Sequence, residues 1–260
     1  MKKRWKTFFI VCASVFGIGV VLCITGFAIG VSDSDVRNAF RNGFGFFSGG
    51  VITDYESNTE MSAEQVEEEL ESYRGVRNLE VEVGKIALRI AESDGESSLV
   101  ERGLNAEGDK HVRIHQEGNT LKVEMEEWKH FDNDAGSITL YIPKRMVFDS
   151  AELTVGAGSM GIENLRTREL DLEVGAGSVE ADRIEAEELS LTCGMGSIEM
   201  TAKGKEQDYN YDLDVGMGSV TIGGGEFGGM AIEKQVQNHA PNNMELECGM
   251  GSIEIYFEEE

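Results

Sequence analysis

A chain of 260 residues with 40% hydrophobic content is long enough to bury a core, but 32 glycines, 2 prolines and only 4 cysteines describe a turn-rich protein without a disulfide framework. It holds 23 basic and 48 acidic residues, a net charge of −25; four of the basic ones (Lys2, Lys3, Arg4 and Lys6) fall in the first six positions, so the remainder carries 19 − 48 = −29. A surface of that sign repels phosphate backbones and anionic lipid, which argues against nucleic acid as a partner.

Residues 1–6 read as a cytoplasmic basic tail. Residues 7–31, Thr7 to Val31, are 25 positions without a charge, and a spanning helix needs about 20. They are predicted to form a transmembrane helix with some tilt. The basic flank keeps the N-terminus in the cytoplasm and puts the rest outside, a single-pass plasma-membrane topology. Gly26-Phe27-Ala28 resembles the cleavage site of a removable signal peptide, yet the apolar run exceeds the usual length of about 7–15 residues. Gly26 and Gly30 have the small-residue spacing through which two such helices self-associate.

Residues 32–75 read as a juxtamembrane linker. Phe40, Phe44, Phe46 and Phe47 interleave with glycines, a composition suited to the membrane interface or to a flexible loop. Ser62-Ala63-Glu64-Gln65 offers a capping box for a short acidic helix running toward Tyr73. From residue 76 the period becomes two. Leu79, Val81 and Val83 alternate with Glu80 and Glu82 up to Gly84, and Ile86, Leu88 and Ile90 resume the alternation. Leu121, Val123 and Met125, then Ile138, Leu140 and Ile142 before Pro143, mark two more half-buried strands.

A phrase then recurs five times. Its skeleton, Leu-x-(Val or Cys)-Gly-(Ala or Met)-Gly-Ser, spans residues 153–159, 172–178, 191–197, 213–219 and 246–252, with first glycines at intervals of 19, 19, 22 and 33. A second alternating strand follows each serine, and Leu165 and Ile184 add a third apolar point 19 residues apart. Such a period predicts an all-β fold: a β-solenoid, here a single-stranded parallel β-helix over residues 76–260, each strand pairing with its equivalent about 4.8 Å above. The glycines (Gly156 and Gly158, Gly175 and Gly177, Gly194 and Gly196, Gly216 and Gly218, Gly249 and Gly251) are read as stacked corners that use positive φ and close backbone approach. A phosphate-binding loop needs a helix after its glycines; a strand follows here, and nucleotide binding is set aside. If the rungs stack in sequence order, one rung separates Cys193 from Cys248. They then lie about 10 Å apart, too far for a disulfide, and act as small buried hydrophobes in the slot that Val155, Val174 and Val215 fill elsewhere.

The anchor, the strands from Leu79 to Ile90, the Ile138-Thr139-Leu140-Tyr141-Ile142-Pro143 strand and the Gly-x-Gly-Ser phrases together resemble the bacterial adhesin-like β-strand-repeat domain, the LiaG-like group of unknown function. The resemblance covers about residues 76–257. It implies an extracytoplasmic β-helix of a Gram-positive-like envelope, discussed with envelope-stress systems, and brings no catalytic residue with it.

Candidate sites follow from the repeat. Outward acidic residues form columns: Glu152, Asp171, Asp212 and Glu245 in one, Glu173, Asp214 and Glu247 in the next, Glu180, Glu199 and Glu254 in a third. They read first as a solvated face that resists aggregation, with weak Ca²⁺ binding at Asp171, Glu173, Asp212, Asp214, Glu245 and Glu247 as the alternative. Met195, Met217 and Met250 between the glycines read as corner fillers rather than soft-metal ligands. The histidines are scattered and the carboxylates spread, so no catalytic constellation and no cofactor site is expected, and a carbohydrate-active enzyme is the least favoured function. Residues 223–243 interrupt the period; Phe227, Met230, Ile232 and His239 on that loop are the candidate contact for an envelope protein or wall polymer. The expected function is a membrane-anchored, non-catalytic adhesion or envelope-interaction domain, the alternative an accessory regulator of an envelope-stress response.

Overall fold

The computed structural model describes residues 70–104, 111–125 and 136–259. The expected membrane span at residues 7–31, the phenylalanines of residues 40–47 and the capping box at residues 62–65 lie outside the described residues. Among the described residues no helix is long and apolar enough to cross a membrane.

The described chain is almost entirely strand, with one 3₁₀ turn at Glu206–Asp208. In order the strands are β1 (Glu71–Tyr73), β2 (Asn78–Val83), β3 (Ala87–Ser93), β4 (Ser98–Leu104), β5 (Val112–Glu117), β6 (Thr120–Met125), β7 (Gly136–Pro143), β8 (Phe148–Val155), β9 (Ser159–Ile162) and β10 (Leu165–Val174). They continue as β11 (Ser178–Glu185), β12 (Glu188–Cys193), β13 (Ser197–Lys203), β14 (Tyr209–Val215), β15 (Ser219–Ile222), β16 (Gly225–Gly228), β17 (Ile232–Val236), β18 (Asn242–Cys248) and β19 (Ser252–Glu258). The acidic helix expected to run toward Tyr73 does not reach it, because Glu71–Tyr73 pair antiparallel with β4.

The fold is all-β and solenoid-like, and the Gly-x-Gly-Ser phrase is the corner that turns each rung from one parallel face to the other. One face stacks the strands before the glycines, the other the strands after the serines, and equivalent residues pair in register: Leu153 with Leu172, Leu172 with Leu191, Ser159 with Ser178. Period-two alternation sends Leu153, Leu172, Leu191, Leu246 and Leu213 into one buried column. Each buried leucine contributes about 2 kcal/mol, and a rung buries its leucine only between two neighbours. The third apolar point also forms, since Leu165 pairs with Ile184.

Rung order departs from the expectation. In space the rungs run β6/β7, β2/β3, β8/β9, β10/β11, β12/β13, β18/β19, β14/β15, so a rung is displaced at each end. The cause lies in how the ends are closed. A last rung would expose one apolar face, so the chain doubles back: β4 and β5 run antiparallel over β7 and β6, and β16 and β17 run antiparallel over β15 and β14. Returning strands β18 and β19 then pair on the inner side of β14/β15, and the 33-residue interval supplies the length. Residues 223–243 are therefore a cap rather than a loop excursion, with Phe227, Ile232 and Val236 packed on the core.

The corner glycines also differ from the expectation. Positive φ is confined to Gly75, Gly118, Gly136, Gly204, Gly223 and Gly229 among the described glycines, none of them in the repeated phrase. Close approach alone requires the corner glycines. A Cβ on Gly196 would stand 2.1 Å from the Gly177 carbonyl oxygen and 2.8 Å from Cγ1 of Val174. The backbones come that near because each corner hydrogen-bonds to the last, as when the Met195 N–H donates to the Gly175 carbonyl at 2.7 Å.

Candidate functional site

The outward side chains of the face before the glycines line a groove of about 790 Å³. Its length follows from pairing alone: eight strands, β6, β2, β8, β10, β12, β18, β14 and β17, span about 34 Å. The first row is Thr120, Asn78, Ser150, Glu169, Glu188, Asn243 and Asn210. The second is Lys122, Glu80, Glu152, Asp171, Ser190, Glu245, Asp212 and Gln235. Amides gather at the β14 end, where Asn210 Nδ2 donates to the Ala240 carbonyl at 2.9 Å and to Asn243 Oδ1 at 3.1 Å. Lys122 closes the other end, with Nζ 2.9 Å from Glu80 Oε2.

Between those ends the groove is acidic. Glu152 faces Asp171, Glu169 faces Glu188 and Glu245 faces Asp212 on neighbouring strands, an arrangement that costs stability unless water or cations screen it. The six acidic candidates thus occupy two adjacent columns: Asp171, Asp212 and Glu245 line the groove, while Glu173, Asp214 and Glu247 follow next to it. Among the described residues no three His, Cys, Asp or Glu side chains stand close enough to hold a metal ion; the candidates make open rows, not a cage. Glu180, Glu199 and Glu254 do stack consecutively, on the opposite face.

Glu247 carries the electrostatic strain of this face. Burial first, and then the carboxylates of Glu245, Asp214 and Glu173, raise its pKa above the ordinary carboxylate value. The folded state therefore binds this proton more tightly than the unfolded chain, so its contribution to stability falls as pH rises from the ordinary value through the raised one. Glu247→Gln is expected to raise the melting temperature by roughly a degree or two at pH 7, a gain kept small by solvent screening. At pH 4, where Glu247 is itself protonated, the gain should vanish; thermal scans at both pH values check it.

The corner methionines are not buried fillers. Met195, Met250 and Met217 occupy successive corners and are 55%, 49% and 54% exposed, and Met230 on the cap beside them is 82% exposed. The cause is the corner itself: with both flanking glycines pressed on the neighbouring rung, the residue between them points outward. Of the four loop candidates, Phe227 and Ile232 pack on the core, with the Lys234 ammonium 4.2 Å from the Phe227 ring centroid. Met230 and His239 face solvent. His115 on β5 and His239 after β17 stand at opposite ends of the stack, so these two cannot share a site.

The sequence reading found the column of Glu152, Asp171, Asp212 and Glu245 and missed the facing pair Glu169 and Glu188 and the amides Asn78, Asn210, Asn243, Gln235 and Gln237. Asn210 and Asn243 do hold the same position, two residues before Asp212 and Glu245. That signal was there to be read, since in-order stacking also makes them neighbours; the true rung order adds Glu188 on the other side of Asn243.

The family model described as Toastrack DUF4097 matches residues 76–255. A solved structure of a proposed cell adhesion protein from Clostridium sporogenes superposes with a TM-score of 0.55 at 15% identity, over 75% of this chain and 100% of that one; the stacked fold is shared. A proposed adhesin from Bacteroides fragilis (TM-score 0.37, 11% identity, 75% and 98% covered) and a proposed lipid binding protein from Parabacteroides distasonis (0.28, 14%, 72% and 96%) are also similar. These names describe adhesion or binding rather than catalysis. No curated protein matches the chain.

Proposed function

Because this chain belongs to the Toastrack DUF4097 family, we propose that it is a non-enzymatic adhesion domain, held outside a bacterial plasma membrane by residues 7–31, whose polar groove takes up an extended glycan of the envelope. One observation carries this reading: a continuous groove across eight strands, about 34 Å long, lined by amides, hydroxyls and carboxylates. Amides donate and accept, and carboxylates accept from sugar hydroxyls. The rung spacing of about 4.8 Å offers a fresh set of partners at each step along an extended chain, and the acidic rows disfavour anionic polymers.

Envelope glycan fragments immobilised on beads test the proposal. Full-length protein in detergent is expected to be retained. Replacing Gln235 and Gln237 by Ala and Asp171 by Lys should weaken retention at least tenfold while moving the melting temperature little, since all three groove-lining side chains are exposed. Equal retention by wild type and variant, or none by either, counts against it. A second reading, an accessory regulator of an envelope-stress response, rests on the Gly26 and Gly30 spacing. In that case changing both to Leu abolishes signalling and leaves glycan retention intact.

A further inference from the structure

The displaced rung does more than close the stack. With β18 inserted between β12 and β14, Cys193 and Cys248 pair directly in register on adjacent parallel strands, instead of standing a rung apart as in-order stacking requires. Both are free, and both are buried, at 1% and 2% exposure. Their sulfurs sit in equivalent places: a Cβ on Gly251 would meet Cys193 Sγ at 2.6 Å, and one on Gly218 would meet Cys248 Sγ at 2.6 Å. Neighbouring strands are about 4.8 Å apart, inside the Cα separation that a disulfide tolerates, while stacked Cβ atoms at that spacing lie slightly beyond its usual span of about 3.5–4.5 Å.

We infer that Cys193 and Cys248 form a strained, reducible disulfide that staples the displaced rung β18 to β12. The oxidant class is a disulfide, such as oxidised glutathione. The Cys248 thiolate attacks one of its sulfurs and expels the first thiolate. Cys193 gives up its proton and attacks the Cys248 sulfur of the mixed disulfide, which expels the second thiolate. Two cysteines are oxidised and one small disulfide becomes two thiols. In the docked fold, contact with the Cys193 thiol lowers the pKa of Cys248 to about 7 despite its burial, whereas that contact and burial push Cys193 upward; the contact puts the two sulfurs within reach of one another. Since both sulfurs are inside, the oxidant reaches them while β18 is undocked, and the second attack succeeds only when β18 lies against β12. The bond therefore locks the one register that in-order stacking forbids, and its strain leaves it open to reduction.

The test uses the full chain in detergent with Cys12→Ala and Cys23→Ala, so that only this pair remains. The protein is refolded from urea with oxidised glutathione and mapped by non-reducing peptide mass spectrometry. The expected result is a Cys193–Cys248 cross-linked peptide and a melting temperature roughly 5–10 °C higher, both reversed by dithiothreitol. Replacing both cysteines by Val, the residue at this slot in four other rungs, should leave a folded protein whose melting temperature no longer responds to either reagent. Two alkylatable thiols after oxidative refolding, a glutathione adduct that never resolves, or a cross-link without a rise in melting temperature overturns the inference.

Discussion

Gly196→Ala should lower the melting temperature by roughly 10 °C. Its Cβ would lie 2.1 Å from the Gly177 carbonyl oxygen, so something must move. The oxygen is backbone, and one corner bond away the Ser197 N–H donates to that same carbonyl at 3.1 Å. On the other side stands Cγ1 of Val174, at 2.8 Å and in the close-packed core. Relief thus requires the two rungs to part, which breaks corner hydrogen bonds and opens the leucine column; a loss of about 3 kcal/mol or more is expected. Gly161→Ala is the control. Nothing lies within 4 Å of its Cβ, and a residue that narrows the unfolded ensemble should leave stability within about 0.5 kcal/mol of wild type. Urea titrations of both variants decide the matter: equal midpoints would mean that corner spacing is not what selects glycine.

Ending the chain after Pro241 should abolish cooperative unfolding altogether. In an in-order solenoid, residues 242–260 would be the terminal rung, and their loss would trim one end. Here β18 and β19 lie between β12/β13 and β14/β15. Removal takes away Met244, Leu246, Cys248, Ile253 and Ile255, each no more than 2% exposed, or on the order of 10 kcal/mol of burial. It also uncovers the facing columns of both neighbouring rungs and leaves β14 to β17 without a parallel partner. That loss is comparable with the whole stability of an ordinary domain, about 5–15 kcal/mol. Near-ultraviolet circular dichroism and a denaturant titration give the readout. A truncated chain that still unfolds in one sharp transition near the original midpoint would show that the last rung is an end rung after all.

How much of this was legible in the residues depends on the range of the interaction. Alternation from Leu79 to Val83, or from Leu170 to Val174, depends on neighbours two positions apart, and those strands lie where the pattern puts them. The acidic columns were legible for the same reason: Glu152 and Asp171 occupy equal places in consecutive phrases and pair directly. The groove was not. Asn243 meets both Glu188 and Asn210 only because β18 is displaced, and Gln235 joins the row only because β17 runs backward over β14. The corner methionines illustrate a subtler gap. Their spacing was plain, but the glycines do not bend the chain with positive φ; they press flat on the neighbouring rung and turn the residue between them outward.

The sequence by itself determined the all-β class, the inward columns, the outward carboxylates and the position of the five Gly-x-Gly-Ser corners, since each depends on a period of two within a strand or a phrase that repeats along the chain. Which rung lies beside which was left to the tertiary structure. Five phrases with the same skeleton can pair with one another in any order at nearly equal local cost, so pairing preference cannot choose among them. The choice falls to burial of the two apolar ends, which draws β4/β5 and β16/β17 back over them and brings the last rung inside. From that one decision follow the contact between Cys193 and Cys248, the meeting of Glu188 and Asn243 in the groove and the dependence of the whole stack on its final residues.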